Sequence, residues 1–115
     1  IIVPLRLTAL STLSDALRRL GSAAESCAVA REGLALIARE GGTGFAEVPT
    51  RLVASEAFQA AGEGERARAE LRETVRQIEL RADRVVDPVC RERYLTRNPF
   101  CVRALELADA WGVRP

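Results

Sequence analysis

Several of the side chains that most often perform catalysis or bind metal are absent or few in this sequence of 115 residues, although carboxylates are plentiful. It has no histidine and its 17 basic residues are all arginine, so it lacks the commonest general base and the lysine nucleophile. The cysteines, Cys27, Cys90 and Cys101, lack the paired C-x-x-C spacing of a zinc site. We expect three structural thiols, although Cys90 and Cys101, on different predicted helices, could approach each other. The composition predicts no enzyme, no metal and no cofactor.

Two further patterns have a functional and a structural interpretation. The loop Gly41–Gly44 is rich in glycine, but it lacks the lysine of a phosphate-binding loop and follows no predicted strand, so we interpret it as a linker. The net charge of +1 argues against a nucleic-acid or anionic-lipid surface, with Arg18-Arg19 as local support for the opposite view. Ten charged residues are expected on solvated helix faces: Asp15, Glu56, Glu63, Glu65, Glu70, Glu73 and the ladder Arg66, Arg68, Arg72, Arg76.

The apolar residues recur at helical spacing along the whole chain. In the first segment they are three or four residues apart, which predicts one helix face made of Leu7, Leu10, Leu13, Leu17 and Leu20. Gly21 ends this helix over residues 3–20, and Ser22 with Glu25 forms a capping box for a second helix that runs to about Arg39.

Four more helices complete the predicted fold. A third begins between Phe45 and Thr50 and ends at Gly62, with Leu52 on its apolar side, and a fourth covers about 65–84. Asp87-Pro88 and Asn98-Pro99 are helix starts, for a short helix over 88–96 and a last one over 99–111. We therefore predict one all-α domain, 1–115, of about six helices: hairpin 1 over 3–40, hairpin 2 over 45–85 and capping helices over 87–112.

The two hairpins repeat each other when Gly21 is aligned with Gly62, a period of 41 residues. Internal repeats of helix–turn–helix units at 20–50 residues are typical of α-solenoids. Small residues near each turn allow the two helices of a hairpin to approach closely. The aligned pairs are Leu13 with Ala54, Ser14 with Ser55, Leu17 with Phe58, Ser26 with Ala67, Ala30 with Leu71 and Leu34 with Val75.

At these residues the sequence resembles the tetratricopeptide repeat family. The matching segments, over about residues 5–84, are Leu13-Ser14-x-x-Leu17-x-x-x-Gly21 and Ala54-Ser55-x-x-Phe58-x-x-x-Gly62, with Ser26 and Ala67 in the second helices. The closing prolines of the family are absent and the period exceeds its usual 34 residues. With the tail Asp87-Pro88…Tyr94-Leu95…Pro99, the resemblance implies the C-terminal end of a repeat array in a large bacterial signalling regulator of the serine/threonine kinase or ATPase/transcription-regulator type.

The resemblance implies a groove lined by the first helix of each hairpin. Projected onto this chain, the partner-binding residues are Ser11, Asp15, Arg18, Arg19, Leu52, Glu56 and Gln59, with Thr8 and Ala60 beside them. An apolar groove residue such as Leu52 suits a helical or hydrophobic segment, and its alternative role is packing against a neighbouring helix. The implied function is a non-catalytic protein–protein interaction scaffold with a protein or peptide partner; the alternative is a ligand-sensing or transcription-regulating helical domain.

The N-terminal edge is apolar, with Ile1, Ile2, Val3 and Leu5. We expect it to pack on preceding repeats or an N-terminal domain of the same chain, since the absence of methionine suggests a part of a longer protein. Uncovered, this edge would be a site of homodimerisation or domain swapping. The sequence has no apolar run of transmembrane length and no signal-peptide pattern, and with the three free thiols this predicts a cytoplasmic protein without membrane contact.

Overall fold

The structure is a computed structural model that describes residues 2–41 and 44–114, and its regular secondary structure there is entirely helical. The predicted all-α class with about six helices is confirmed. Ile1, the loop residues 42 and 43, and Pro115 lie outside the described residues. The helices are α1 (Ile2–Arg19), α2 (Ala23–Glu40), α3 (Glu47–Ala60), α4 (Gly64–Asp83), α5 (Pro88–Arg97) and α6 (Pro99–Trp111), with a 3-10 turn at Gly44–Ala46 before α3.

The turns that close the two hairpins are equivalent bond for bond at an offset of 41 residues. Gly21 and Gly62 both adopt the left-handed conformation, with φ of 84° and 79°. After the first, Ser22 donates its backbone N–H to Leu17 at 2.8 Å; after the second, Glu63 donates to Phe58 at 2.9 Å. These bonds satisfy the last carbonyls of a helix and fix the direction in which the chain leaves it. The repeat seen in the sequence is therefore present in the backbone of both turns.

Small residues lie where the helices of each hairpin cross. In the first hairpin, Ser14 Oγ donates to the carbonyl of Ser26 at 2.9 Å and Ser26 Oγ donates to the carbonyl of Ser14 at 2.7 Å. In the second hairpin the equivalent residues, Ser55 and Ala67, are also fully buried, but Ser55 bonds to Arg51 of its own helix. A larger side chain at any of these positions would push the helices apart.

Helix α3 is the central element of the fold. It contacts α1, α2, α4 and α6, and every residue from Leu52 to Phe58 is buried. On one side Ala54, Ala57 and Phe58 pack with Cys27 and Ala30 of α2. The core on its other side is built from α3, α4 and α6 and contains Val48, Leu52, Leu71, Val75, Ile78, Cys101, Ala104 and Ala108. One helix thus joins these two clusters, and a third, with Leu7, Leu36, Ile37 and Ala46, lies between α1 and α2 in the described residues.

The two predicted proline starts form as expected. Asp87 accepts a hydrogen bond from Val89 N at 2.9 Å, and Asn98 accepts from Phe100 N at 3.0 Å, so both side chains cap the helix that follows. Arg91 of α5 reaches back to the carbonyl of Val85 at 2.7 Å and so ties α5 to the end of α4. These contacts place α6 beside α3 and α4, where Arg68 donates to the carbonyl of Trp111.

Two local predictions are wrong. Ser22 occupies the N-cap position of α2, but its side chain makes no capping hydrogen bond, so the capping box with Glu25 does not form. Leu13 and Leu20 were expected on the inward face of α1 and are exposed instead. The inward face is set by Ser14, where α2 approaches most closely, and Leu13 and Leu20 lie on the other side of the helix. Their leucine spacing belongs to a second apolar stripe.

Candidate functional site

A groove runs across the first helices of the two hairpins and α6. Helix α3 forms its floor, and α1 and α6, whose Cα atoms all lie more than 8 Å apart, line its two sides. We call this surface the groove face. Two cavities and a chain of ion pairs lie on it, followed by a third, smaller cavity near the C-terminal ends of α3 and α6.

The two larger cavities are neighbours because they share Phe45, Pro49 and Phe100. One has a volume of about 380 Å³ and is bounded by α1 through Thr8, Ser11, Thr12 and Asp15. The other, of about 400 Å³, extends toward α4 and α5 and is bounded by Arg81, Val85, Tyr94, Asn98 and Cys101. The walls of both cavities are predominantly apolar, and both cavities open to solvent. These features are typical of surfaces that receive a hydrophobic side chain.

Phe45 and Phe100 stand at the junction of these cavities. Phe45 precedes α3 and is 78% exposed, while Phe100, in the first turn of α6, is 45% exposed. Aromatic side chains dominate burial energetics at protein interfaces, and their exposure in a free protein marks a surface that another molecule can cover. Pro99 restricts the backbone before Phe100, and Gly44 supplies the positive φ, 67°, from which the chain enters Phe45.

A chain of charges crosses the groove face beyond the cavities. Glu56 of α3, only 7% exposed, receives hydrogen bonds from Arg103 of α6, with Nε 3.1 Å from Oε2. Arg18 of α1 lies 3.5 Å from the same carboxylate and donates to Asp15 at 2.8 Å. Arg19 also donates to Asp15, at 2.9 Å. One buried carboxylate therefore links α1, α3 and α6. Of its two arginine partners, Arg18 lines the third cavity and the side chain of Arg103 is 52% exposed.

The ion pairs of the groove face shift the pKa values of Asp15 and Arg103. Burial alone would raise the pKa of Asp15, but the hydrogen bonds and charges of Arg18 and Arg19 outweigh it and hold the pKa below its usual value. The hydrogen bond to Glu56 raises the pKa of Arg103. At the other end of the groove, burial and the neighbouring Cys101 raise the pKa of Tyr94 to about 12. Asp15 and Arg103 therefore stay ionised and Tyr94 stays neutral across the physiological range.

Six of the seven predicted partner-binding residues lie on the groove face. Ser11 and Asp15 line the 380 Å³ cavity, and Arg19 is bound to Asp15. Arg18, Glu56 and Gln59 line the third cavity, of about 230 Å³. The seventh, Leu52, is buried in the core beside Leu71 and Ile78, which is the packing role left open by the sequence.

The expectation of a solvated face is wrong for two of the carboxylates, Glu56 and Glu70. Glu56 is buried, and Glu70 bonds to Arg51 at 2.8 Å rather than facing solvent. Arg51 also holds Glu47, a buried carboxylate in the first turn of α3. Arg81 of α4 reaches Glu47 as well, at 3.2 Å. This second cluster joins α3 to α4 and has the character of a structural tie, since its members lie between two packed helices.

Sequence reasoning missed Phe45, Phe100 and Arg103, and also Leu107 and Trp111, which line the third cavity. A signal existed for the two phenylalanines. They are two of only five aromatic residues and neither falls on a predicted apolar stripe, so their positions beside a glycine and a proline at helix starts had no packing explanation. No local pattern shows that Arg103 meets Glu56, 47 residues away, because that pairing depends on how α6 docks.

The described residues contain no group of three metal-ligating side chains, and their three cysteines are free thiols. Within residues 2–41 and 44–114, none of the helices combines the length and the apolar character needed to cross a membrane. Comparisons with protein-family models, with curated proteins and with solved structures found no match to this chain.

Proposed function

We propose that this protein is a non-catalytic interaction scaffold of the tetratricopeptide-repeat type that holds a segment of a partner protein on its groove face. The observation that carries the proposal is the pair of exposed rings, Phe45 and Phe100, between two apolar cavities on a floor supplied by the buried helix α3. The identical turns at Gly21 and Gly62 support the repeat assignment. The bacterial signalling setting and the cytoplasmic location remain predictions from the sequence.

The groove favours a helical partner segment with apolar anchors. Its floor, the 14-residue helix α3, is about 21 Å long, so about four turns of a partner helix fit along it. Side chains one turn apart on such a helix would enter the two adjoining cavities, as in helix-in-groove recognition. The accessible sides of Arg18 and Arg103 would then face the end of the segment, where carboxylates suit them.

The test is a selection from a displayed library of helical peptides, followed by binding measurements with synthetic copies of the enriched sequences. Phe45→Ser and Phe100→Ser remove the exposed rings without opening the core, and Val89→Ser removes an exposed apolar side chain of α5 as the matched control. We expect each groove substitution to weaken binding about tenfold or more, which corresponds to about 1.4 kcal/mol, and the control to have no effect.

Two outcomes would contradict the proposal. One is a library that yields no peptide binder; the other is a set of binders whose affinity is the same for the wild type and both groove variants. The ligand-sensing alternative makes a different prediction, namely that a small molecule protects Tyr94 and Arg81 in the 400 Å³ cavity while peptides bind nowhere on the groove face.

A further inference from the structure

Helix α1 carries a second apolar stripe that faces away from the rest of the protein. We call it the outer stripe: Ile2, Leu5, Ala9, Leu13, Ala16 and Leu20. These residues are three or four positions apart, all six are exposed, and none is charged. The four large ones are 78%, 68%, 49% and 80% exposed in chain order. An uninterrupted apolar face along a whole helix is unusual on a free surface and indicates that something covers it.

In the second hairpin, the equivalent side of the first helix, α3, is covered by other helices. Four of the residues that lie 41 positions later are buried because α1 and α2 cover them: Ala46 of the 3-10 turn, and Thr50, Ala54 and Ala57 of α3. Ala61, the equivalent of Leu20, is exposed. The cover is close, since Cys27 Sγ of α2 lies 3.1 Å from the carbonyl of Ala57. On α1, however, Leu5 and Leu13 replace the alanines at positions 46 and 54. Because these two side chains are larger, another hairpin could not approach α1 as closely as α2 approaches α3.

We infer that the outer stripe pairs with the outer stripe of a second copy of this chain, antiparallel and around a twofold axis. The stripe is nearly symmetric about residue 11 of the sequence. Antiparallel pairing places Leu13 against Ala9 of the second copy, Leu5 within one residue of Ala16, and Ile2 against Leu20. In the central part of the stripe a large side chain therefore meets a small one, as close helix packing requires, and the same patch serves both copies.

The neighbouring charges favour the antiparallel direction. Arg6 flanks the stripe. In the antiparallel pair it lies opposite residue 16 of the second copy, so the Arg6 of that copy is ten residues, or about 15 Å, further along the helix. That separation exceeds the Debye length of about 8 Å at physiological ionic strength, so the two arginines repel little. In a parallel pair the two Arg6 side chains would lie next to each other, and so would the two Arg19 side chains.

The size of the stripe predicts a weak dimer. Helix α1 has 18 residues and is therefore about 27 Å long, which gives an apolar face of about 270 Å² if it is about 10 Å wide. A standard interface buries about 800 Å² per partner, so we expect association in the micromolar to millimolar range unless neighbouring loops add contacts. This inference does not depend on the proposed function, because the outer stripe and the groove face use different sides of α1.

Sedimentation equilibrium over a wide concentration range tests the association. We expect a monomer–dimer equilibrium that Leu13→Glu weakens at least tenfold, because it places a charge at the centre of the stripe. Val89→Glu, a charge at an exposed valine of α5, should leave the equilibrium unchanged. Circular dichroism would verify that both variants remain folded. A strictly monomeric wild type at millimolar concentration would overturn the inference, and so would equal effects of the two substitutions.

Cross-linking tests the direction. In a Cys90→Ser background, which removes the exposed thiol, Ala9→Cys and Leu13→Cys proteins are mixed and oxidised. The mixed disulfide should form faster than either homodisulfide because these two positions face each other in the antiparallel pair. Front-to-back stacking of hairpins would give no mixed disulfide, and a parallel pair would favour the homodisulfides; either result contradicts the proposed geometry.

Discussion

The two hairpins have the same turn geometry but differ in how much of their first helix is covered by other helices. Helix α1 is buried along one side only, through Leu7 and Ser14, whereas α3 is covered by α1 and α2 on one side and by α4 and α6 on the other. The turn bonds are nevertheless the same to within 0.1 Å at Ser22 and Glu63. Local sequence therefore sets the hairpin, and position among the neighbouring helices sets the burial of its side chains.

This difference is reflected in the residues at equivalent positions. Leu17 of α1 is half-buried, and its equivalent Phe58 is fully buried between α2 and α4, with the guanidinium of Arg66 4.5 Å from the ring centre. Arg31 of α2 approaches the same ring at 5.8 Å. The larger residue fills the larger enclosed space, and two arginines seal it from solvent through cation–π contacts.

The largest expected effect is the loss of the Phe58 ring. Phe58→Ala should lower the free energy of unfolding by about 3–5 kcal/mol, because it opens a cavity in a closed site between three helices. Leu17→Ala at the equivalent position should cost roughly 1–2 kcal/mol, since that side chain is already in contact with water. Urea denaturation followed by circular dichroism measures both. Equal costs would show that the coverage of the two helices does not differ in solution as it does in the structure.

The turn glycines provide the opposite comparison, one in which the hairpins should behave alike. Gly21→Ala and Gly62→Ala each force a side chain into the left-handed region, at a cost of about 1–2 kcal/mol. A Cβ at either position meets no other atom of the described residues within 4 Å, so steric packing among them adds nothing to the backbone cost. We expect the two changes in the free energy of unfolding to agree within experimental error. A clear difference would mean that one turn is stabilised by its surroundings rather than by its own backbone.

The contact between α2 and α3 permits a finer test. A Cβ at Gly33 would come within 3.0 Å of Cγ2 of Thr50, whose hydroxyl is bound to the carbonyl of Ala46 at 2.8 Å and so cannot turn away. Gly33→Ala should therefore destabilise the fold by roughly 1 kcal/mol, although alanine is the better helix former by about that amount. Thr50→Ser removes the obstructing methyl, so the double variant should recover most of the loss. If Gly33→Ala alone is stabilising, α2 is free to move away from α3.

Much of this architecture follows from local sequence. The helix starts at Asp87 and Asn98 and the turns at Gly21 and Gly62 depend on residues within a few positions, and there the predictions agree with the structure. The helix face of α1 does not follow in the same way. Its leucines define two stripes, and only the crossing at Ser14 and Ser26 decides which one faces inward. Spacing alone cannot assign that direction, which explains why Leu13 and Leu20 were misplaced.

The groove was accessible to sequence reasoning only in part. The resemblance to a repeat family supplied the α1 and α3 positions, because those depend on the helix register. It could not supply Phe100 or Arg103, since α6 meets α3 through a docking step that involves residues about 50 positions apart. The prediction that Glu56 lies on a solvated face is wrong for the same reason. Its position in the sequence does not distinguish it from an exposed glutamate, because its burial depends on Arg18 of α1 and Arg103 of α6.

The smallest expected effect compares one carboxylate from each hairpin under acid conditions. The pKa of Asp15 is lowered because Arg18 and Arg19 outweigh its burial, and the pKa of Glu73 is lowered mainly by its hydrogen bond with Arg76. A carboxyl group whose pKa is lower in the folded state stabilises the fold above its unfolded pKa, near 3.8 for aspartate and 4.5 for glutamate. That stabilisation is lost as the pH falls through the folded-state pKa.

Asp15→Asn and Glu73→Gln should therefore each flatten the decline of the free energy of unfolding between about pH 5 and pH 2, by a fraction of a kcal/mol. We expect Asp15→Asn to have the larger effect, because two arginines hold Asp15 and one of them also touches the buried Glu56. Glu73 and Arg76 form a pair within one turn of an outer helix face, where solvent screens them. Chemical denaturation at a series of pH values decides the matter. A flatter profile for Glu73→Gln would place the acid-sensitive interaction of this fold in the second hairpin rather than in the groove.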